Sequence, residues 1–129
     1  MRNVDKDNQS VDDLEEALFK IGKLVAPTNH FWIDVEQKLL IKYMKIEKLS
    51  RPMRDRKIQI CRNIMDYMQR ADSSNVKSKR YLGLYSIILD TEIENLLQDK
   101  ASRSHRNEEL LKKKICEKQI LNMIRAKVQ

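Results

Sequence analysis

The residues whose types and spacing suggest chemistry most strongly are the cations between positions 51 and 80. In this segment nine Lys and Arg residues outnumber three Asp residues, in a chain of 129 residues with a net charge of +7. Such side chains neutralise phosphates and release counterions from nucleic acids. The segment therefore predicts a binding site for nucleic acid or for another polyanion, such as an acidic protein. The candidate residues are Arg51, Arg54, Arg56, Lys57, Arg62, Lys77, Lys79 and Arg80.

The same charges also fit a solvated helix surface, because Asp55 and Asp66 lie among the cations. Arg56, Gln59 and Asn63 share one helical face, and side chains of these types can contact base edges. A binding surface and a solvated face therefore both stay open. A second basic cluster, which equally fits a nuclear-import patch, consists of Arg103, Arg106 and Lys112 to Lys114.

The residue types that catalyse reactions or bind metals are not arranged in the motifs or at the spacings that such sites require. His30 and His105 have no second His, Cys or carboxylate at metal-ligand spacing. The sequence contains no glycine-rich phosphate loop and no recognisable nucleophile motif. It therefore predicts a protein that is not an enzyme and that has no metal site, no cofactor and no small-molecule substrate.

The two cysteines and the hydropathy pattern indicate in which cellular compartment the protein is expected to lie. Cys61 and Cys116 form neither a disulfide framework nor a metal-ligand spacing, so the sequence predicts buried, reduced thiols. No apolar run approaches the roughly 20 residues that cross a bilayer, and the N-terminus has no secretory pattern. We therefore expect an intracellular protein without a membrane partner, and the basic charge favours the nucleus over the cytoplasm.

The elements that must position these residues are helices. Two Gly, two Pro and few β-branched runs argue against sheet, and apolar residues recur at steps of three and four. The sequence predicts an all-α fold, a bundle-like domain of four or five helices from 10 to 129 that follows a flexible segment, 1–9. The Asp-Ser-Ser-Asn stretch after Arg70 predicts a loop before a fourth helix, which we expect to run without a break from about 79 to 100.

A helical hairpin from about 30 to 70 is expected to organise this domain. Its helices, 30–49 and 52–70, are joined by a short connection at Ser50 to Pro52. The apolar faces predicted to form the core are Trp32, Val35, Leu39, Tyr43 and Ile46 on the first helix, and Ile58, Cys61, Ile64, Met65 and Met68 on the second. Gly22, within the preceding helix that ends before Pro27, predicts a close contact between helices.

The last helix, about 105–127, has two apolar sectors that cannot both face one flat core. One sector contains Leu110, Leu111 and Ile115, and the other lies further round the helix axis. We expect the helix to dock through one sector and to offer the other for association, or to protrude from the domain. The alternative is a helix that bends around its own domain and buries both. The predicted interaction residues are Ile115, Cys116, Ile120, Met123 and Ile124.

The run from Leu39 to Met68 resembles the BESS motif, a short helix pair found mainly in insect chromatin and transcription proteins. Lys48 and Leu49 match the Lys-Leu pair of the motif, and Arg54 and Arg56 match its basic positions. Cys61, Ile64 and Met65 match its closing apolar set. The resemblance implies protein–protein association, including self-association, in a chromatin or transcription setting.

Together these features predict a helical module for protein–protein interaction or dimerisation, in a nuclear or nucleic-acid-associated assembly. The expected partners are a second copy of the chain, an acidic protein, or both, because symmetric homodimers are the commonest oligomers. The alternative is a protein that binds DNA or RNA directly through residues 51–80.

Overall fold

The chain folds into five α-helices. The computed structural model describes residues 10–24, 30–74, 78–98 and 105–127, and within those ranges it contains no strand. The helices are α1 (Val11–Ile21), α2 (His30–Lys45), α3 (Arg51–Ala71), α4 (Lys79–Gln98) and α5 (His105–Lys127). The prediction of an all-α, bundle-like fold with four or five helices is confirmed. The predicted flexible segment, 1–9, lies outside the described residues.

The helices form two compact units, Met1–Leu49 and Ser50–Gln129. In the first unit α1 packs against α2, and in the second α3 and α5 both pack against α4. The sequence instead predicts one domain organised around a hairpin from 30 to 70. The two helices of that hairpin fall in different units, because α1 supplies the packing partner of α2 and α4 supplies that of α3.

The first unit begins at a capping box. The backbone N–H of Asp13 donates to Ser10 Oγ over 3.0 Å, and the Ser10 N–H donates to the Asp13 carboxylate, which satisfies donors left open at the helix start. Leu14 and Leu18 of α1 are buried, and the Tyr43 hydroxyl of α2 donates to Glu15 over 2.9 Å. The two helices are thus joined by an apolar stripe and by the hydrogen bond between Tyr43 and Glu15.

Helix α1 ends at Gly22, which is its C-cap. The sequence predicts that this helix ends at Pro27, so the observed end lies five residues earlier. A Cβ atom at this position would lie 2.9 Å from the ring of Trp32, closer than such atoms normally approach. The predicted close helix contact at Gly22 is therefore confirmed, and the partner is the tryptophan ring of α2.

In the second unit, Ser50 caps the start of α3: its side chain accepts from the Met53 N–H, and Pro52 lies in the first turn. Helix α4 runs without a break, as predicted, and Thr91 Oγ1 donates back to the Ile87 carbonyl over 2.8 Å. The apolar residues that α3 and α4 bury are Ile60, Cys61, Ile64, Leu82, Leu84, Ile88 and Leu89.

Two leucines of α4 provide a matched test of this core. Leu89 is 1% exposed, whereas Leu97 is 51% exposed on the same helix. We expect Leu89→Ala to lower the free energy of unfolding by ~2–5 kcal/mol, because it removes buried methyl groups and leaves a cavity. Leu97→Ala should change it by less than ~0.5 kcal/mol. Urea unfolding followed by circular dichroism measures both, and equal losses would contradict the assigned burial.

Replacing each of the two glycines by alanine should change the stability of the protein in opposite directions. A Cβ at Gly83 would meet only Arg125 at 4.0 Å, so Gly83→Ala should stabilise α4 by ~0.5–1 kcal/mol through helix propensity. Gly22→Ala should instead destabilise the first unit, because the ring of Trp32 must move to make room. Thermal unfolding of the two variants checks this, and a gain in stability for Gly22→Ala would contradict the close contact.

Candidate interaction surface

The side of α5 that faces α4 is largely ionic. Lys114 Nζ donates to Glu92 over 2.9 Å, and Lys118 Nζ lies 2.8 Å from Asp90. Lys118 also contacts the Ser86 hydroxyl. Because Lys114 and Lys118 are one helical turn apart, they share the face of α5 that meets α4.

The residue of α5 that is buried in the apolar core with α4 lies in the second half of the helix. Leu121, 3% exposed, packs with Leu82 and Leu89 of α4, and Tyr85 lies against this cluster. The Tyr85 hydroxyl donates to the Glu117 carboxylate. This hydrogen bond, reinforced by partial burial, raises the pKa of Tyr85 to about 12. The stability it contributes is complete below pH ~10, the ordinary tyrosine value, and is lost as the pH rises through about 12.

The opposite face of α5 is apolar and turned to solvent. Ile120 is 53% exposed, Met123 65% and Ile124 46%, and Cys116 on the same face is also exposed. An amphipathic helix on a globular protein normally turns its apolar stripe inward and its charges outward. Over its second half α5 has the reverse arrangement.

The five residues predicted for association, Ile115, Cys116, Ile120, Met123 and Ile124, are all exposed. The sector predicted to dock is divided. Leu111 is half-buried, whereas Leu110 and Ile115 are exposed. The bent helix that buries both sectors is therefore excluded for the described residues. Sequence reasoning missed the ionic docking face, although Lys114 and Lys118, spaced by one turn, were a signal for it.

Glu92 joins three helices of the second unit. Its carboxylate accepts from Arg62 of α3 over 3.0 Å and from Lys114 of α5 over 2.9 Å. The side chain of Glu92 is only about one-fifth exposed, so these two cations compensate a carboxylate that has lost much of its water. A single residue of α4 thus fixes both neighbouring helices.

The predicted polyanion site is divided by the structure. Arg54 is buried, donates from Nε to Asn95 and lies 4.0 Å from Glu94, so its guanidinium fastens α3 to α4. Arg51 pairs with Asp55 at 3.2 Å, and Arg62 pairs with Glu92. These three arginines therefore already bind groups within the unit.

The remaining members of that set differ in exposure. Lys79 and Arg80 at the start of α4 are exposed, whereas Arg56 and Lys57 are half-buried. Lys77 lies outside the described residues. In the second basic cluster, Arg103 also lies outside them, Lys114 is paired with Glu92, and the exposed members are Arg106, Lys112 and Lys113.

A cleft of about 560 Å³ opens between α3 and α5 above α4. Its polar lining groups bind one another, since Gln59 Nε2 donates to Asn63 over 2.8 Å and Tyr85 donates to Glu117. The lining residues are Gln59, Arg62, Asn63, Met65, Asp66, Gln69, Tyr81, Tyr85, Ile88, Leu89, Glu92, Lys114 and Glu117. Much of the polar lining of the cleft is therefore engaged in contacts within the unit.

The two cysteines differ in their surroundings. Cys61 is buried as predicted, and burial raises the pKa of its thiol to about 12, so the thiol stays protonated and unreactive at neutral pH. The prediction of burial is wrong for Cys116, because the face of α5 on which it lies points away from α4. Within the described ranges no group of His, Cys, Asp and Glu residues could hold a metal ion. No helix in those ranges is long and apolar enough to span a bilayer.

Comparison with known proteins gives no relative: no family model, no curated protein and no solved structure matches the chain. The resemblance of residues 39–68 to the BESS motif is not tested by these comparisons and stays a prediction.

The role of Glu92 can be tested by neutralising it. Glu92→Gln should lower the free energy of unfolding by roughly 1–3 kcal/mol, because two cations lose a partly buried carboxylate. The control is Asp66→Asn, which removes an exposed pair with Arg70 and should cost less than ~0.5 kcal/mol. Urea unfolding of both variants measures the difference, and equal effects would contradict the bridging role.

Proposed function

We propose that the chain is a non-enzymatic helical module that pairs with a second copy through the outward face of α5. The observation that carries this proposal is the position of the apolar face, which lies opposite the side that docks on α4. Contiguous exposed apolar surface on a soluble protein commonly marks an interaction site. The surface proposed here consists of Cys116, Ile120, Met123 and Ile124. Ile115 is exposed as well, but it lies about half a turn round the helix from Ile124 and outside this face.

Rotation of α5 within the unit does not offer another way to bury this face. Turning the apolar stripe toward α4 would pull Lys114 away from Glu92 and Lys118 away from Asp90. The partly buried Glu92 carboxylate and the partly buried ammonium groups of Lys114 and Lys118 would then lose their partners, which costs more than an exposed pair contributes. Burial of the stripe therefore requires a surface outside the α3 to α5 contacts, and the proposal is that a second molecule supplies it.

A second copy is the favoured partner for two reasons. Symmetric dimers are the commonest assemblies of soluble proteins, and the BESS resemblance implies self-association. The same resemblance, with the net charge of +7, supports a nuclear or nucleic-acid-associated assembly as the setting. An acidic protein partner for the exposed Lys112 and Lys113 is compatible with this setting.

Direct binding of nucleic acid through residues 51–80 is the second candidate function. The exposed cations Lys79 and Arg80 favour it. The pairing of Arg51 and Arg62 and the burial of Arg54 count against it, because these groups would have to leave protein partners to reach phosphates. A salt titration of binding to random duplex and single strands separates the candidates, since phosphate contacts weaken steeply with salt.

The proposed dimer has a matched pair of test variants. Ile120→Glu with Ile124→Glu places charges in the apolar face, and we expect a folded monomer at concentrations where the parent chain is a dimer. The control is Ile41→Glu with Met44→Glu, which makes the same change at two exposed apolar positions of α2 and should leave the dimer intact. Sedimentation equilibrium gives the masses, and circular dichroism verifies folding.

A parent chain that sediments as a monomer at high micromolar concentration would overturn the proposed function. So would a dimer that survives the α5 substitutions and dissociates with those in α2.

A further inference from the structure

We infer that two copies pair with their α5 helices antiparallel, around a two-fold axis that crosses the outward face at the level of Lys118. This inference rests on the proposed function and adds the direction and register of the contact. It follows from how charged and apolar residues are ordered along the outward face of α5.

The two faces of α5 follow a seven-residue pattern. The inward side contains Lys114, Lys118, Leu121 and Arg125, which are half-buried or buried. The outward side contains residues that alternate by three and four, the spacing of the a and d positions in paired helices. These outward residues are Glu109, Lys113, Cys116, Ile120, Met123 and Lys127, and all are exposed.

A parallel pair would place each of these residues opposite its own copy. Glu109, Lys113 and Lys127 would then each face an identical charge, and like charges brought together at a contact oppose association. Only Cys116, Ile120 and Met123 would make favourable layers. The order of charges along α5 therefore disfavours the parallel arrangement.

An antiparallel pair with its axis at the level of Lys118 removes these conflicts at the a and d positions. Cys116 faces Ile120 of the second copy, and Lys127 meets Glu109 of the second copy. The stem of Lys113 can cover Met123 while its ammonium group stays in water. Since a two-fold contact is self-complementary, each of these contacts occurs twice.

The same register gives a role to Leu110. This residue is exposed and lies on the flank of the outward face, at the e position, as does Ile124. In antiparallel pairs e positions lie beside e positions, so Leu110 of one copy lies beside Ile124 of the other. Glu117, the remaining e residue, lies beside its own copy, and its carboxylate accepts from the Tyr85 hydroxyl of its own chain. The proposed contact therefore covers an exposed leucine outside the set that the sequence assigns to association.

Crosslinking tests the direction. Cys116→Ser is the background, because it removes the exposed thiol and leaves only the buried Cys61. One chain then carries Leu110→Cys and a second, with a mass tag, carries Ile124→Cys. The two are mixed and treated with a bis-maleimide of short spacer. We expect the mixed 110–124 product to exceed each product of identical chains at least about fivefold, and no product from the background alone.

Charge reversal tests the register independently. Glu109→Lys or Lys127→Glu should each weaken self-association by roughly tenfold, since two pairs are lost and two repulsions are created. The double variant should recover most of the parent affinity. In a parallel dimer, reversal would exchange one like-charge pair for another and leave the affinity unchanged.

These results separate the two claims. A monomeric parent chain overturns the proposed function and the inference with it. A dimeric parent whose Ile124→Cys chains crosslink mainly to one another, or whose affinity is indifferent to both reversals, overturns the antiparallel register alone. Circular dichroism of each variant establishes that these exposed substitutions leave the fold intact.

Discussion

The second unit depends on one carboxylate, that of Glu92, which is shared by a cation from each neighbouring helix. Arg62 reaches it from α3 and Lys114 reaches it from α5. A carboxylate with little access to water is stable only if charged or polar donors replace the lost solvent. Glu92 therefore requires both helices in place, and each helix gains a fixed position on α4 from meeting this requirement.

This ionic attachment determines what α5 can do with its apolar residues. Lys114 and Lys118 occupy the inward face, with Leu121 as the main apolar anchor. If the inward face of α5 were apolar instead, its charged residues would lie on the solvent-exposed face, and that face would offer no apolar surface for association. The distribution observed leaves Ile120, Met123 and Ile124 outside, and it links the stability of the unit to the exposure of the proposed association surface. The proposed function thus depends on which face of one helix carries the charges.

The sequence was informative about elements and faces. Helical periodicity predicted the helices, the continuous α4 and the outward residues of α5, because these depend on spacing along a single segment. It did not predict that Arg54 is buried against Asn95, or that α2 and α3 belong to different units. Periodicity identifies an apolar face but does not identify the helix that covers it. The buried Arg54 needs the side-chain amide of Asn95 as its partner. Asn95 lies on another helix, so no pattern within the α3 segment could predict this contact.

The contact between Trp32 and Gly22 has an optical consequence. Trp32 is the only tryptophan of the chain, and its ring lies against the first unit's own backbone. Its emission therefore reports on α1 and α2, whereas ellipticity sums over all five helices. If the two units open at different denaturant concentrations, the two signals will not coincide, and a two-state fit to either will misstate the stability of the whole. The placement of one indole thus makes the division of the chain into two units visible by ordinary spectroscopy.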